Sequence, residues 1–414
     1  MENKIIIKYA SIFTLAIFFS TSGHIGSISF YIGVLMLSLV FKVKSVITDT
    51  RILLIPLIIA FFVGLFFKPY TLWEVFKDLF YMISWLIMLV LGECFYKILR
   101  PRDFLKMLVY SGSFFSVVNV IGNFYTSGVQ ILFDPRAIRD GDGYFGSVCI
   151  IAMLAFLILL HWRLYTRNQL PNHWKQIMLI NILALYFSGS RTYWLVILIL
   201  SSIILYPKLK KKTYISIVLV GVFGILTVFL TSSDGRTSNI IKHSIVEMTA
   251  GNAKNISEAN ENYRAYEAFM AMSQYAAYPI VNKFVGNGMG ATVDMGPTSP
   301  VGLRYIPILH NGYPYLLIKM GLLGFIVYIV YFISLIIRFV RWKGRIKKIN
   351  NSIWKAISCG SVLALLVMHF SVNAIFNQGY NSILIFVGYT LANITWKKQK
   401  NQSRFLSSSL TTTL

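Results

Sequence analysis

Long apolar runs recur along almost the whole chain and constrain its fold more than any other feature. A helix needs about 20 residues to cross the hydrocarbon layer of a membrane, and inside that layer its backbone polar groups must bond to one another. Suitable runs lie at 5–19, 28–41, 52–67, 79–91, 105–124, 146–160, 177–187, 193–206, 214–231, 313–337, 353–374 and 382–396. The sequence therefore predicts an all-α integral membrane protein, a polytopic bundle of about twelve transmembrane helices whose shorter runs extend into flanking polar residues.

Composition agrees with a membrane protein. Only 13% of the residues are charged and 56% are hydrophobic, whereas a soluble domain carries roughly 25% charged residues. The three cysteines all fall in or beside predicted spans. We therefore interpret them as packing residues and predict neither a disulfide framework nor a zinc site.

The basic net charge of +24 reflects orientation in the membrane. With the N-terminus in the cytoplasm, most Lys and Arg residues fall in inner loops, and the outer loops are nearly neutral. This is the positive-inside pattern, with contact to anionic inner-leaflet lipids, and it argues against nucleic-acid binding. It places both termini in the cytoplasm. The first run lacks a convincing cleavage site, so we predict an uncleaved first helix.

One long polar segment, 232–312, divides the chain. We predict an N-terminal bundle of about nine spans over 1–231, an extracytoplasmic loop over 232–312, and about three spans with a cytoplasmic tail over 313–414. Within the loop, apolar residues at helical spacing predict a helix over 260–278, and glycine and proline predict irregular chain over 286–300. The loop would lie over the mouth of a cavity in the bundle, among spans almost free of charge.

Two arginines stand at places where phosphate oxygens would be in reach. Arg191 opens the eighth predicted span at its outer end, and its guanidinium suits bidentate contact with phosphate or pyrophosphate. Position alone favours the alternative, a side chain that snorkels to lipid headgroups. Arg264 lies on the predicted loop helix, where an ion pair with Glu261 or Glu267 is the simpler explanation.

Further polar residues of the outer loops are open to two interpretations. Arg139 lies in the outer loop 125–144, where its charge is either solvated or used for substrate. Arg304 lies in the long segment. The run Gly286-Asn287-Gly288-Met289-Gly290 would let backbone amides approach an anion. No strand–helix unit surrounds it, so the run does not predict a dinucleotide site.

Two histidines are candidates for chemistry. His310, followed by Asn311, immediately precedes the tenth span; it is either an interfacial polar residue or a base or hydrogen-bond donor to a hydroxyl. His369 lies inside the eleventh span, where an ionisable side chain is a functional candidate. A catalytic carboxylate pair, a metal-ligand cluster and a phosphate-binding loop are not recognisable in the sequence. We therefore predict no metal and no cofactor, and an activated lipid-linked substrate as the source of energy.

These features together resemble the O-antigen polymerase/O-antigen ligase superfamily of bacterial membrane glycosyltransferases. The resemblance covers the architecture and several local motifs, which are Ser190-Arg191, Tyr263-Arg264 with Pro279 and Gly286–Gly290, His310-Asn311-Gly312-Tyr313, and Gly321-Leu322-Leu323-Gly324. The His-Asn and Gly-Leu-Leu-Gly signature is the most specific of these motifs. Lys319-Met320 departs from the pattern, because an acidic residue is common ahead of Gly321.

The resemblance implies a GT-C-like fold and a metal-independent glycosyltransferase at the outer face of the bacterial inner membrane. The implied substrate is a glycan on undecaprenyl pyrophosphate, and the pathway partners are a chain-length regulator and a flippase. Arg191 and Arg264 would clamp the pyrophosphate, and His310 would orient or deprotonate the acceptor hydroxyl. The implied substrate-binding residues are Arg304, Arg139, Asn311, Gly288 and His369.

The sequence is compatible with three functions. The first is a polymerase that joins repeat units into O-antigen, capsule or exopolysaccharide. The second is a ligase that moves finished glycan to lipid A-core or another acceptor. A flippase or exporter is disfavoured, because it would need a charged central cavity and short loops.

Overall fold

A computed structural model describes residues 2–21, 24–129, 149–188, 191–206, 263–296, 303–342 and 348–395. The helices are α1 (Glu2–Thr21), α2 (His24–Val40), α3 (Ser45–Phe66), α4 (Leu72–Ile98), α5 (Pro101–Ser127), α6 (Ile150–Tyr165), α7 (Trp174–Phe187), α8 (Arg191–Leu205), α9 (Tyr263–Ala277), α10 (Ile280–Val285), α11 (Gly312–Arg341), α12 (Lys348–Val372) and α13 (381–395). Two short strands, β1 (Val293–Asp294) and β2 (Tyr305–Ile306), pair antiparallel. Two 3-10 turns, Arg167–Gln169 and Gln378–Tyr380, complete the described elements.

The prediction of an all-α membrane protein is confirmed. Among the described residues, α3, α4, α5, α11 and part of α12 are long and apolar enough to cross a membrane. Shorter apolar helices lie in α1, α2, α6, α7 and α8. The predicted ninth span, 214–231, lies outside the described residues, so the count of twelve and the orientation stay predictions.

Helix α4 is longer at both ends than the apolar run 79–91 suggested. It begins after a capping box, in which the Thr71 hydroxyl accepts a hydrogen bond from the Glu74 N–H and the Glu74 carboxylate accepts one from the Thr71 N–H. Asp78 and Glu93, assigned to loops from hydropathy, are therefore buried inside α4. The expectation that the spans are almost free of charge is wrong for this helix, because each of these carboxylates has partners inside the protein.

Glu93 ties the end of α4 to the beginning of α3. Its carboxylate accepts hydrogen bonds from the backbone N–H groups of Lys44, Ser45 and Val46 at 3.3, 3.2 and 2.7 Å. These are N–H groups that a helix leaves without intrahelical partners, and its N-terminus favours a negative charge. The contact fixes α3 and α4 as antiparallel neighbours.

Helix α11 is kinked at Gly321, the first glycine of the Gly-Leu-Leu-Gly motif. Gly321 has φ 64° and ψ −166°, which glycine adopts without the steric cost of a side chain. The kink frees the carbonyls of Ile318 and Lys319, which accept hydrogen bonds from Asn287 and Gly288 at 2.8 and 3.1 Å. The motif therefore makes a docking point for the glycine run.

A buried ion pair lies at that docking point. The ammonium group of Lys319 on α11 contacts the carboxylate of Asp78 on α4, and both side chains are buried. The same carboxylate accepts the N–H of Gly290 at 2.7 Å, and the lysine also donates to the carbonyl of Ala291. Lys319, the departure from the family pattern, thus has a charge partner that joins α4, α11 and the glycine run.

We call residues 263–296 and 303–311 the capping segment. It consists of α9, α10, the glycine run and the β1–β2 pair; α9 packs on α11 and β1, and α10 packs on α11 and α3. The helix predicted over 260–278 is confirmed as α9. Tyr263, Tyr266 and Met270 pack against the core as expected, but Ala277 is exposed.

Candidate functional site

His310 and Glu267 form a hydrogen-bonded pair where the capping segment meets the start of α11. Nδ1 of His310 lies 2.9 Å from Oε2 of Glu267. The backbone N–H of His310 donates to the other carboxylate oxygen. The Glu267 side chain has no solvent exposure, whereas that of His310 is 49% exposed. The carboxylate therefore engages Nδ1 from the buried side, while half of the His310 side chain is open to solvent.

Helix α9 buries Glu267 by its position on the inner face. The residue lies between Tyr263 and Ala271, four residues from each, so that all three lie on one side of the helix. The Tyr266 hydroxyl donates to the carbonyl of Met295 at 2.8 Å, and the Gln274 amide donates to that of Asp294 at 2.9 Å. These bonds fix α9 on the β1–β2 pair.

Tyr263 borders the pair from the side. Its ring meets the His310 ring edge to face, with centroids 5.8 Å apart. Burial, followed by the charge of Glu267, raises the pKa of the Tyr263 hydroxyl. This side chain therefore stays neutral at physiological pH.

The backbone on both sides of His310 is also fixed. The Asn373 amide, just beyond α12, donates to the carbonyl of Leu309 at 3.0 Å. Asn311 caps α11, with its side-chain oxygen accepting the N–H of Tyr313 at 3.1 Å. A side chain predicted to bind substrate is thus engaged as a helix cap, and its effect is to hold His310 in place.

His369 is buried behind the pair rather than open to it. Its ring packs edge to face on Tyr313 and Phe376, with centroids 5.0 and 5.5 Å away. It also lies directly against Gly312, where a Cβ atom would overlap the ring. His369, predicted to bind substrate, therefore packs in the protein interior against the start of α11.

Arg264 is exposed on α9, one turn before Glu267. Residues three apart on a helix have Cβ atoms about 5–6 Å apart. The simple explanation from sequence, a local ion pair with Glu267, competes with the two bonds by which His310 already engages that carboxylate. Arg264 and His310 thus both belong to the capping segment, and both side chains are exposed.

Arg304 is engaged within the β1–β2 pair. Its Nε and Nη2 atoms donate to the two carboxylate oxygens of Asp294, both at 3.0 Å, and its guanidinium lies 5.3 Å from the Tyr305 ring centroid. Hydrogen bonds from Arg304 and then from the Gly296 N–H lower the pKa of Asp294. Arg304, predicted to bind substrate, therefore links the strand β1 to the chain just before β2.

The glycine run anchors the capping segment to the membrane helices. Gly286, Gly288 and Gly290 have φ of 83°, 86° and 89°. Every backbone N–H from 286 to 290 donates within the protein, to Asn282, Ile318, Lys319, Ala60 and Asp78 in turn. These amides are therefore engaged inside the protein, that of Gly290 by the Asp78 carboxylate, and Gly288 packs so closely on α3 that a Cβ atom there would overlap Gly64.

The structure describes only the backbone of Arg191 and does not describe Arg139, the two other arginines predicted to contact substrate. Arg191 begins α8, as expected for a residue that opens a span; its side chain is outside the described part of the structure. Arg139 lies outside the described residues. Within the described ranges, no group of three or more His, Cys, Asp or Glu side chains could hold a metal ion.

Glu267 is the site residue that the sequence argument did not single out. A carboxylate between apolar residues on the inner face of an amphipathic helix was the available signal, because such a group needs a buried partner. That partner is 43 positions away in sequence. Only folding identifies it as His310.

Residues 176–329 match the family model described as O-Antigen ligase. The predicted resemblance to the O-antigen polymerase/O-antigen ligase superfamily is thereby confirmed over this stretch, which includes Arg191, α9, the glycine run, His310 and the kink of α11. No curated protein matches the chain.

Proposed function

We propose that this chain, with its O-antigen ligase region over residues 176–329, is a polymerase of lipid-linked glycan. It joins oligosaccharide repeat units carried on undecaprenyl pyrophosphate, at the outer face of the bacterial inner membrane. The product is O-antigen, capsule or exopolysaccharide. The reaction uses neither a metal ion nor a nucleotide. A flippase supplies the donor, and a chain-length regulator acts on the product.

The observation that carries the proposal is the buried Glu267 behind the half-exposed His310. A carboxylate that accepts the Nδ1 proton of an imidazole fixes the tautomer in which Nε2 is unprotonated. It also stabilises the imidazolium that forms when Nε2 takes a proton. The arrangement suits a general base acting on a hydroxyl group, as sugar transfer requires.

The reaction that follows is a single displacement. The acceptor hydroxyl oxygen attacks the anomeric carbon of the donor sugar while Nε2 of His310 takes the hydroxyl proton. The bond between the anomeric carbon and the pyrophosphate oxygen breaks, and the electron pair leaves with the pyrophosphate. The configuration at the anomeric carbon is inverted.

Arg264 is proposed to stabilise the departing pyrophosphate. It is exposed on α9, three residues before Glu267, where the Cβ atoms of two helical residues are about 5–6 Å apart. A fixed guanidinium near the leaving oxygen stabilises charge that develops in the transition state. Arg191, at the start of α8, is proposed as the second cation.

Substituting the pair and its neighbouring arginine tests the site. We expect His310→Ala and Glu267→Gln to lower the rate of transfer by roughly 10²- to 10⁴-fold, the range typical of general base catalysis. Glu267→Gln keeps the size of the side chain but cannot hold an imidazolium, so it should reduce turnover more than donor binding. Arg264→Ala should abolish the polymer. The readout is surface glycan on gels from a deletion strain carrying each variant.

Met272→Ala is the matched control, because Met272 is an exposed residue of the same helix. It should restore full-length glycan at the same membrane abundance as the variants. Wild-type glycan from His310→Ala would refute the proposed base.

The deletion strain itself separates polymerase from ligase. Loss of a polymerase leaves a single repeat unit on the acceptor. Loss of a ligase leaves the acceptor bare while lipid-linked polymer accumulates, and this result would replace our proposal with ligation to lipid A-core or another acceptor. Units trapped inside the cell would indicate a flippase.

A further inference from the structure

A cavity of about 360 Å³ lies between the beginnings of α5 and α7 and the end of α6. It is at the opposite end of the helices from His310, because α5 starts directly after α4 ends, beside the Glu93 contact with the start of α3. The cavity plays no part in the chemistry proposed above.

Basic side chains form the rim of this cavity. Arg102 and Lys106 are four residues apart on α5 and so lie on one face of it, and His173 precedes α7 on the other side. Arg102 is also in the first turn of α5, where the helix N-terminus adds positive potential. Such a rim attracts a phosphate group.

Part of the cavity wall is apolar. Val109, Trp162 and Ile177 line it, and Val109 and Trp162 are almost fully buried. A soluble inorganic anion would make no favourable contact with these apolar side chains. A phospholipid carries apolar carbon atoms next to its phosphate and can contact both parts of the cavity.

An exposed apolar stripe continues from the cavity along α5. Its members are Tyr110, Phe114, Val117 and Ile121, exposed by 39%, 55%, 41% and 62%. Their spacing of four, three and four residues keeps them on one side of the helix, and at 1.5 Å per residue they span about 16 Å. Packed beside it, α7 exposes Leu179, Ile182 and Tyr186. A fatty acyl chain fits along this surface.

We propose that this cavity and stripe bind one anionic phospholipid, with its phosphate between Arg102 and Lys106 and an acyl chain against Tyr110 and Phe114. The order of features along α5, cations first and exposed apolar residues after them, matches the order of phosphate and acyl chain in a lipid. Arg163, 5.3 Å from the Trp174 ring centroid, adds positive charge near the same end of the helices. The site accepts lipid from the leaflet on that side, which the charge pattern makes cytoplasmic.

The test measures quenching of tryptophan fluorescence in the purified full-length protein by lipids with brominated acyl chains. Brominated phosphatidylglycerol is added to the protein in detergent micelles and compared with brominated phosphatidylcholine. We expect phosphatidylglycerol to quench at a roughly thirtyfold lower mole fraction, and Arg102→Gln/Lys106→Gln to remove that preference, since both basic residues near the lipid surface favour an anionic headgroup. Trp162→Phe should remove most of the saturable quenching.

Two further variants keep the outcome interpretable. Lys42→Gln/Arg51→Gln removes the same charge from exposed residues at the same end of the helices and should keep the preference. Arg102→Lys/Lys106→Arg conserves the charge and should also keep it. Equal quenching by both lipids in the wild type would overturn the proposal. Competition by millimolar inorganic phosphate would overturn it in favour of a site for soluble anions.

Discussion

A methyl group on Gly312 would overlap the ring of His369, and this single contact explains two residues of the candidate site. His369 is buried between Tyr313 and Phe376, so its ring has no free space to move into. Gly312 must therefore lack a side chain if α11 is to begin directly behind His310. An embedded histidine that suggested function from sequence has a packing reason to be there.

At this residue scale we predict that Gly312→Ala destabilises the protein by about 1–3 kcal/mol, the usual cost of overpacking a core. His369→Ala should also destabilise it, by leaving a cavity. The double variant Gly312→Ala/His369→Ala should be more stable than the sum of the two single effects predicts, because the methyl group then occupies part of that cavity. Thermal unfolding in detergent measures all three, and strictly additive effects would rule out the contact.

At the scale of elements, the glycine run is a wedge between α3 and α11. Met289 donates its N–H to the carbonyl of Ala60 on α3 at 2.9 Å, and Gly288 lies against Gly64 one turn further on. On the other side, Asn287 and Gly288 donate to carbonyls freed by the kink of α11. Backbone meets backbone on both sides, so the capping segment has one position over the helices.

Gly64→Ala tests this wedge. The added methyl group would overlap the carbonyl oxygen of Met289. Moving Met289 away would break the hydrogen bond from its N–H to the carbonyl of Ala60 on α3. We expect the run to shift and glycan transfer to fall by roughly 10²-fold, as follows from a displacement of about 1 Å at a site.

Gly33→Ala is the matched control, since a methyl group at Gly33 of α2 would meet no atom of the described residues within 4 Å. It should leave transfer unchanged. If Gly64→Ala is equally active, the run does not set the position of the candidate site.

At the scale of the whole molecule, the two ends of the helices differ. One end carries His310, Arg264 and the capping segment, and the other carries the basic rim at Arg102 and Lys106. The proposed chemistry and the proposed lipid site therefore face opposite sides of the membrane.

Cysteine labelling in intact cells measures this orientation. A cysteine at Ile280, which is 80% exposed on α10, should react with a membrane-impermeant maleimide reagent once the outer membrane is opened. A cysteine at the exposed Lys42 should react only after the inner membrane is lysed. Labelling in the reverse order would place the capping segment in the cytoplasm and contradict the proposed function.

The sequence predicted the helices better than it predicted the contacts of polar residues. Apolar runs identify helices because a span needs only its own composition to be stable in a membrane, and the described helices overlap all the predicted spans except 214–231. Asp78, Glu93 and Glu267 were missed because the value of a buried carboxylate depends on its partner. Those partners are 241, about 47 and 43 positions away.

By itself, then, the sequence determined the class of protein, its helices and the positions of His310 and Arg264 on the capping segment. Hydropathy and helical spacing are properties of neighbouring residues, so they can be deduced without the fold. Only the tertiary structure decided that Glu267 holds His310 and that Asp294 engages Arg304. It also decided that the amides of the glycine run donate hydrogen bonds to α3, α4 and α11. Each of these hydrogen bonds requires two groups from different parts of the chain to lie within about 3 Å of each other. The packing of the folded chain sets that separation.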